Sequence, residues 1–167
     1  MMGMDLPGLV TRGDEYAWAS FSECGSYRYL LGRVWSKSRP MLLFGMLNPS
    51  MAGERDDDPT VRRVCGFAQR EDFGGVLVIN AAAARTPHPR ELAALRDPFG
   101  PHNAEVVKWF AQRIDVAVAA WGCPPTKIAG RVEWMRGLRK WFCLGTTKDG
   151  YPKHPLYLAK DTELEAL

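Results

Sequence analysis

Long apolar blocks separated by polar, turn-forming stretches set the pattern of this chain, and the densest of them have the composition of strands buried on both faces. Met41 to Leu47 is apolar apart from Gly45 and gives way abruptly to Asn48-Pro49-Ser50, as when a buried strand leaves a sheet into a turn. The same pattern returns in Val76-Leu77-Val78-Ile79 ending at Asn80, in Asp115 to Trp121 stopping at Gly122, and in Trp141 to Leu144 ending at Gly145. Helical spacing falls between these blocks. Val61, Val64, Cys65 and Ala68 recur at that spacing after Asp58-Pro59, where the aspartate can cap free backbone N–H groups and a first-position proline forfeits no hydrogen bond. This helix is expected to run to about Arg70. A short helix at about Arg90 to Leu95, a turn at Asp97 to Pro101, a longer helix at about Asn103 to Gln112 and another from Thr126 through about Arg136 follow.

Upstream, Tyr16 to Phe21 and Tyr27 to Trp35 flank Glu23-Cys24-Gly25-Ser26 and predict a β-hairpin. In its second arm Tyr27, Tyr29, Leu31 and Arg33 fall on one side, with Arg28, Leu30 and Val34 on the other. Residues 1–15, with four glycine or proline positions among them, predict an irregular lead-in, and Lys160 to Leu167 a short acidic helix. Four buried strands separated by helices predict an α/β fold in one domain, a three-layer α/β/α arrangement with a central four-stranded parallel sheet plus an N-terminal β-hairpin. The core would span residues 41–159. Right-handed crossovers would then bring the strand ends to one edge.

Composition narrows this picture only slightly. A chain of 167 residues, 46% hydrophobic and 25% charged, can bury a core without disulfides or metal. Cys24, Cys65, Cys123 and Cys143 are scattered without Cys-x-x-Cys or a companion histidine spacing, which argues against zinc or iron–sulfur sites and for free thiols in a reducing compartment. No cofactor is implied. No apolar run reaches the length of a membrane span and no signal-peptide pattern opens the chain, so a cytoplasmic protein without a membrane partner is expected. The net charge is only +3, yet residues 127–153 carry seven basic side chains against two acidic ones. That segment is either a solvated helix face or a phosphate contact.

The edge of such a sheet is where ligands bind in open α/β folds. It would carry Asn48, Asn80, Gly122 and, through a loop, His154. Each carboxamide offers donors and an acceptor in one plane, suited to the polar edge of a heterocycle or to fixing a water, although Asn48 could equally end its strand in an Asx-turn. Asp56, Asp57 and Asp58 admit two readings: a helix cap with two solvated charges paired to Arg62 and Arg63, or carboxylates that hold a divalent cation beside substrate phosphates.

Met46-Leu47-Asn48-Pro49-Ser50, Gly75 to Asn80, Ala119-Ala120-Trp121-Gly122 and His154-Pro155-Leu156-Tyr157-Leu158-Ala159 resemble, in order, the motifs of the uracil-DNA glycosylase superfamily, particularly its mismatch-specific branch. The resemblance implies that Asn48 orients an attacking water, Asn80 reads the base and His154 supports the departing base anion. Pro49, Ser50, Arg85, Trp121 and Gly122 would complete the substrate site. Asp57, Asp58, Thr60, Arg62, Arg63 and Lys153 are candidates for phosphate or loop contacts. The chain departs from that pattern in lacking an aspartate or tyrosine after Asn48 and in having Leu156-Tyr157 where the family has Ser-Pro. A further resemblance, carried by Leu47 to Ala52, Asp57-Asp58-Pro59-Thr60-Val61-Arg62-Arg63, Asn80, Arg85 and Asp97 to Asn103, is to an uncharacterised bacterial and phage family known only as a domain of unknown function.

The function expected from these features is recognition of a nucleobase in DNA or in a nucleotide, with hydrolysis of the N-glycosidic bond of a modified or damaged base. The alternatives are a non-catalytic nucleic-acid or nucleotide-binding module and a metal-dependent nucleotide-processing enzyme using the acidic loop.

Overall fold

A computed structural model describes residues 7–167; residues 1–6, the start of the expected irregular lead-in, lie outside the described residues. One mixed sheet of eight strands organises the chain. In sequence the strands are β1 (Leu9–Gly13), β2 (Ala17–Ser22), β3 (Arg28–Val34), β4 (Met41–Met46), β5 (Gly75–Asn80), β6 (Val116–Ala119), β7 (Phe142–Cys143) and β8 (Glu165–Ala166). Across the sheet they lie in the order β1-β2-β3-β5-β4-β6-β7-β8. Three helices, α1 (Pro59–Arg70), α2 (Asn103–Arg113) and α3 (Thr126–Arg136), cover it.

The expected central four-stranded parallel sheet with a hairpin beside it is corrected by this topology. Four of the seven pairings are antiparallel, and the hairpin strands β2 and β3 are hydrogen-bonded into the sheet through β5. Parallel pairing is confined to β5 with β4, β4 with β6, and β6 with β7. The reason is visible in β3, whose Leu31 aligns with Val78 so that β5 has an antiparallel neighbour on one side and a parallel one on the other.

Three shorter expectations also change. Leu9–Gly13, expected to be irregular, is an edge strand whose half-exposed residues carry no buried apolar run to announce it. The acidic tail pairs antiparallel with β7 where a helix was expected, aligning Ala166 with Phe142. Its Leu164 and Leu167 reach opposite cores, which strand alternation permits and a helix does not. The segment near Arg90 is a 3₁₀ turn, Pro89–Ala93, where a short α-helix was expected.

The period of two along each central strand feeds two cores. Leu42, Phe44 and Met46 of β4, Val76 and Val78 of β5 and Val118 of β6 pack beneath Val61, Val64 and Phe67 of α1. On the opposite face, Leu43, Leu77, Ile79, Ala117 and Ala119 meet Val106, Val107 and Phe110 of α2 and Ile128, Val132 and Met135 of α3. Each large side chain so buried contributes about 1.5 to 3 kcal/mol. Helix α1 begins as its sequence dictates: Asp58 accepts a hydrogen bond from the Val61 N–H at 2.8 Å, and Pro59 occupies the first turn.

Gly45, mid-strand in β4, lies under the Trp121 and Trp141 rings, which meet edge to face with centroids 5.4 Å apart. An added Cβ would stand 2.9 Å from the Trp141 ring and 3.3 Å from that of Trp121. Gly45→Ala is expected to destabilise the fold by about 1 to 3 kcal/mol through overpacking. Urea unfolding followed by tryptophan fluorescence measures this, and an unchanged midpoint would show that the two rings are free to move aside.

Candidate functional site

A cavity of about 490 Å³ opens where β4, β5 and β6 leave the sheet. Asn48 and Ser50 reach it after β4, Asn80 from the end of β5, and Trp121 and Gly122 after β6. The far wall is the first turn of α1, with Asp58 and Thr60, together with His154 just before the 3₁₀ turn Pro155–Tyr157. Parallel pairing explains the convergence. Met46 aligns with Asn80 and Gly45 with Ala119, so the chains run out of the sheet side by side.

The polar side chains are held in defined orientations. Asn48 donates through Nδ2 to the carbonyl oxygens of Thr86 at 2.9 Å and Pro49 at 3.0 Å. Two acceptors fix which end of the amide is nitrogen, and Oδ1 is left as an acceptor. Asn80 is 1% exposed, and its Nδ2 is buried without a hydrogen-bond partner. Its backbone is anchored from behind. Asn103, at the start of α2 and fully buried, donates through Nδ2 to the carbonyl oxygens of Asn80 at 2.9 Å and Ala81 at 3.1 Å. Gly122 turns with φ +66°, and its N–H donates to the Pro152 carbonyl at 3.0 Å, tying the end of β6 to the loop that carries His154.

His154 accepts the Leu156 N–H through Nδ1 at 3.3 Å. The neutral imidazole therefore carries its proton on Nε2 and can donate from there. Burial pushes its pKa below the ordinary histidine range, and the Asp58 carboxylate opposes that shift.

Arg28 is a buried charged residue of the cavity that the sequence pattern missed. It opens β3, donates its backbone N–H to Ala83 at 2.9 Å, lines the cavity and is only 3% exposed. Its Nη1 donates to the Ala52 carbonyl at 2.6 Å, while Nε is buried without a partner. Among the described residues no carboxylate lies within ion-pair distance of it. Burial pushes this guanidinium down to about 10; Asp58 opposes the shift, and Arg85 and Arg33 add to it. A lone cation in the otherwise apolar run Tyr27 to Leu31 was the available signal. It resembled an outward-facing charge of a hairpin.

Other candidates lie elsewhere. Pro49 is buried beside the cavity, with its carbonyl accepting the Thr86 N–H. Arg85 stacks on Phe21 and donates to the Gly25 carbonyl. Asp57 forms an ion pair with Arg33 at 2.8 Å and accepts from Arg62 through its carbonyl. Arg63 donates to the Pro155 carbonyl and lies over Phe67. Lys153 is exposed, with its stem near Gly145. In the basic segment, Lys127 and Arg139 hold backbone carbonyls and Arg131 stacks on Phe99 and Trp134. Among the described residues, no three His, Cys, Asp or Glu side chains group so as to hold a metal ion. No helix there is long and apolar enough to cross a membrane.

The His154 shift makes stability depend on pH with a definite sign. A histidine whose folded-state pKa lies below its unfolded value of 6.5 is neutral in both states above that value, and the unfolded chain gains protons first as the pH falls. Stability is therefore full above the unfolded pKa and declines as pH falls from there toward the folded pKa. His154→Gln is expected to shrink the loss of urea stability between about pH 7 and about pH 5; an undiminished loss would place its origin elsewhere.

Comparison with known proteins adds the family. A family described as "Protein of unknown function (DUF1643)" matches residues 28–156, a span that begins at the buried cavity arginine and includes both asparagines and His154. No curated protein matches the chain, and no solved structure does. With the greater part of its length matched, the chain belongs to the DUF1643 family of proteins of unknown function.

Proposed function

We propose that the cavity at the ends of β4, β5 and β6 binds a nucleobase and hydrolyses its N-glycosidic bond. The observation that carries this reading is Asn80: a carboxamide nitrogen buried at the cavity wall without a partner. Leaving such a donor unpaired costs about 1 to 3 kcal/mol, which a ligand carbonyl oxygen can recover. The rigid anchoring of Asn80 by Asn103 suits recognition of a planar heterocycle edge. The order of strand-end motifs, similar to that of the uracil-DNA glycosylases, supports the same assignment.

In the proposed reaction Asn48 Oδ1 accepts a hydrogen bond from a water and directs its oxygen to the anomeric carbon. The bond from that carbon to the base nitrogen breaks with its electron pair moving to the base. His154 Nε2–H donates to the departing base, lowering the energy of the developing negative charge. The water oxygen becomes the new hydroxyl on the sugar, and its released proton leaves the base neutral overall. One water is consumed; a free base and an abasic sugar result. For a base within a duplex this requires extrusion from the stack.

A second reading is a binding module without chemistry. It is favoured by the single carboxylate lining the cavity, Asp58, having one oxygen engaged as the cap of α1. The two readings separate on Asn48→Ala. Free-base release, followed by mass spectrometry from single- and double-stranded oligonucleotides containing uracil and a panel of modified bases, is expected to fall by about 100-fold or more when the water is no longer positioned. Release that survives the substitution would exclude Asn48 from the reaction. Absence of release from every substrate, with ligand binding intact, would establish the binding module.

A further inference from the structure

The guanidinium of Arg28 is an unusual group to find at the wall of a cavity with 3% of its surface exposed. A buried cation is normally paired with a carboxylate, because removing it from water costs several kcal/mol otherwise. Here its protein hydrogen bond is to a neutral carbonyl, that of Ala52, and Nε has none. The one acid on the same cavity, Asp58, accepts the Val61 N–H and forms no ion pair with it. Asp58 stands near enough to favour its charge without a direct contact, and Arg85 and Arg33 near enough to disfavour it. The cation is thus in place, desolvated and without a directly paired carboxylate, on the same cavity as the unpartnered carboxamide nitrogen of Asn80.

We propose that Arg28 receives an anionic phosphate of the ligand, so that the cavity takes a base together with its phosphate, as a nucleotide, in preference to a neutral nucleoside. This rests on the nucleobase reading for the base itself and is independent of whether the bond is hydrolysed. A guanidinium offers a planar fork matched to phosphate oxygens. Its Nη1 is fixed by Ala52, and that fixes the fork's direction before the ligand arrives. The phosphate could belong to a free nucleoside monophosphate or to a polynucleotide strand.

Calorimetric titration of the full chain tests the assignment with the common nucleosides, their 5′-monophosphates, inorganic phosphate and a short single-stranded oligodeoxynucleotide. A monophosphate is expected to bind about tenfold or more tightly than its nucleoside, the gain from a charge-assisted hydrogen bond. Arg28→Gln should erase the difference between monophosphate and nucleoside, and Arg28→Lys should restore part of it. If Arg28→Gln does not fold, the Arg28 Nε–H resonance of the unaltered protein replaces it, and a shift on adding phosphate is expected. An oligonucleotide that binds more tightly than the monophosphate, through Arg28, assigns the phosphate to a strand; the reverse assigns it to a free nucleotide. Binding of inorganic phosphate lost in Arg28→Gln, with no nucleoside or nucleotide bound, would sustain the anion site while removing the nucleobase reading. Equal affinity for nucleoside and monophosphate, an unmoved Nε–H, or a phosphate gain that survives Arg28→Gln would overturn the assignment.

Discussion

β4 is flanked in parallel by β5 and β6, and that pairing is the constraint on which the cavity depends. It aligns Met46 with Asn80 and Gly45 with Ala119, so three chains leave the sheet at one edge with their next polar residues adjacent. Parallel strands need crossovers, and these are supplied by α1 on one face and α2 on the other. The apolar packing of Leu42, Phe44 and Leu43 therefore sets the geometry of Asn48 and Asn80 as much as any polar contact does. Gly45, with no Cβ, lets the Trp121 and Trp141 rings come close to β4, and Trp121 is itself part of the cavity.

Some of the polar groups buried around this edge are satisfied and others are not. The Nδ2 groups of Asn103 and Asn48 are engaged with backbone carbonyls, and they hold the strand ends still. Arg28 Nε and Asn80 Nδ2 are donors without acceptors. Unpaired donors in a protein interior weaken the fold. Arg28, Asn80 and Trp121 place such donors on one cavity, an arrangement expected where stability has been traded for binding an acceptor-rich partner. The acidic run beside it has a different use. Asp57 pairs with Arg33, and Asp58 caps α1 at the wall of the cavity.

Much of this was legible in the chain itself because strands buried on both faces leave unbroken apolar runs. The strands at Met41, Gly75 and Val116 and the capped start of α1 were visible for that reason, and so were Asn48 and Asn80 as abrupt polar ends. Leu9–Gly13 and Glu165–Ala166 were not, since edge strands satisfy only one neighbour and need no apolar run. The joining of the hairpin to β5 was also hidden: pairing direction depends on which edge is free, and no residue type encodes it. Arg28 escaped notice because a charge in a strand ordinarily faces water, and only the tertiary placement of Ala52 and Asn80 shows that this one does not. In the basic stretch from Lys127 to Lys153, the intramolecular contacts of Lys127 and Arg139 with carbonyls and of Arg131 with aromatic rings depend on tertiary placement that the charge pattern does not carry.

The central claim is that the unpartnered carboxamide of Asn80 is the point at which a base is read. The direct measurement is the side-chain amide resonance of Asn80 in an isotope-labelled sample titrated with nucleosides and nucleotides. The account predicts a downfield, saturable shift of the Asn80 Nδ2 protons as they gain an acceptor, with the Asn103 Nδ2 protons nearly unmoved because their acceptors are already in place. Saturable binding that leaves Asn80 unshifted and perturbs residues away from the strand ends would contradict it.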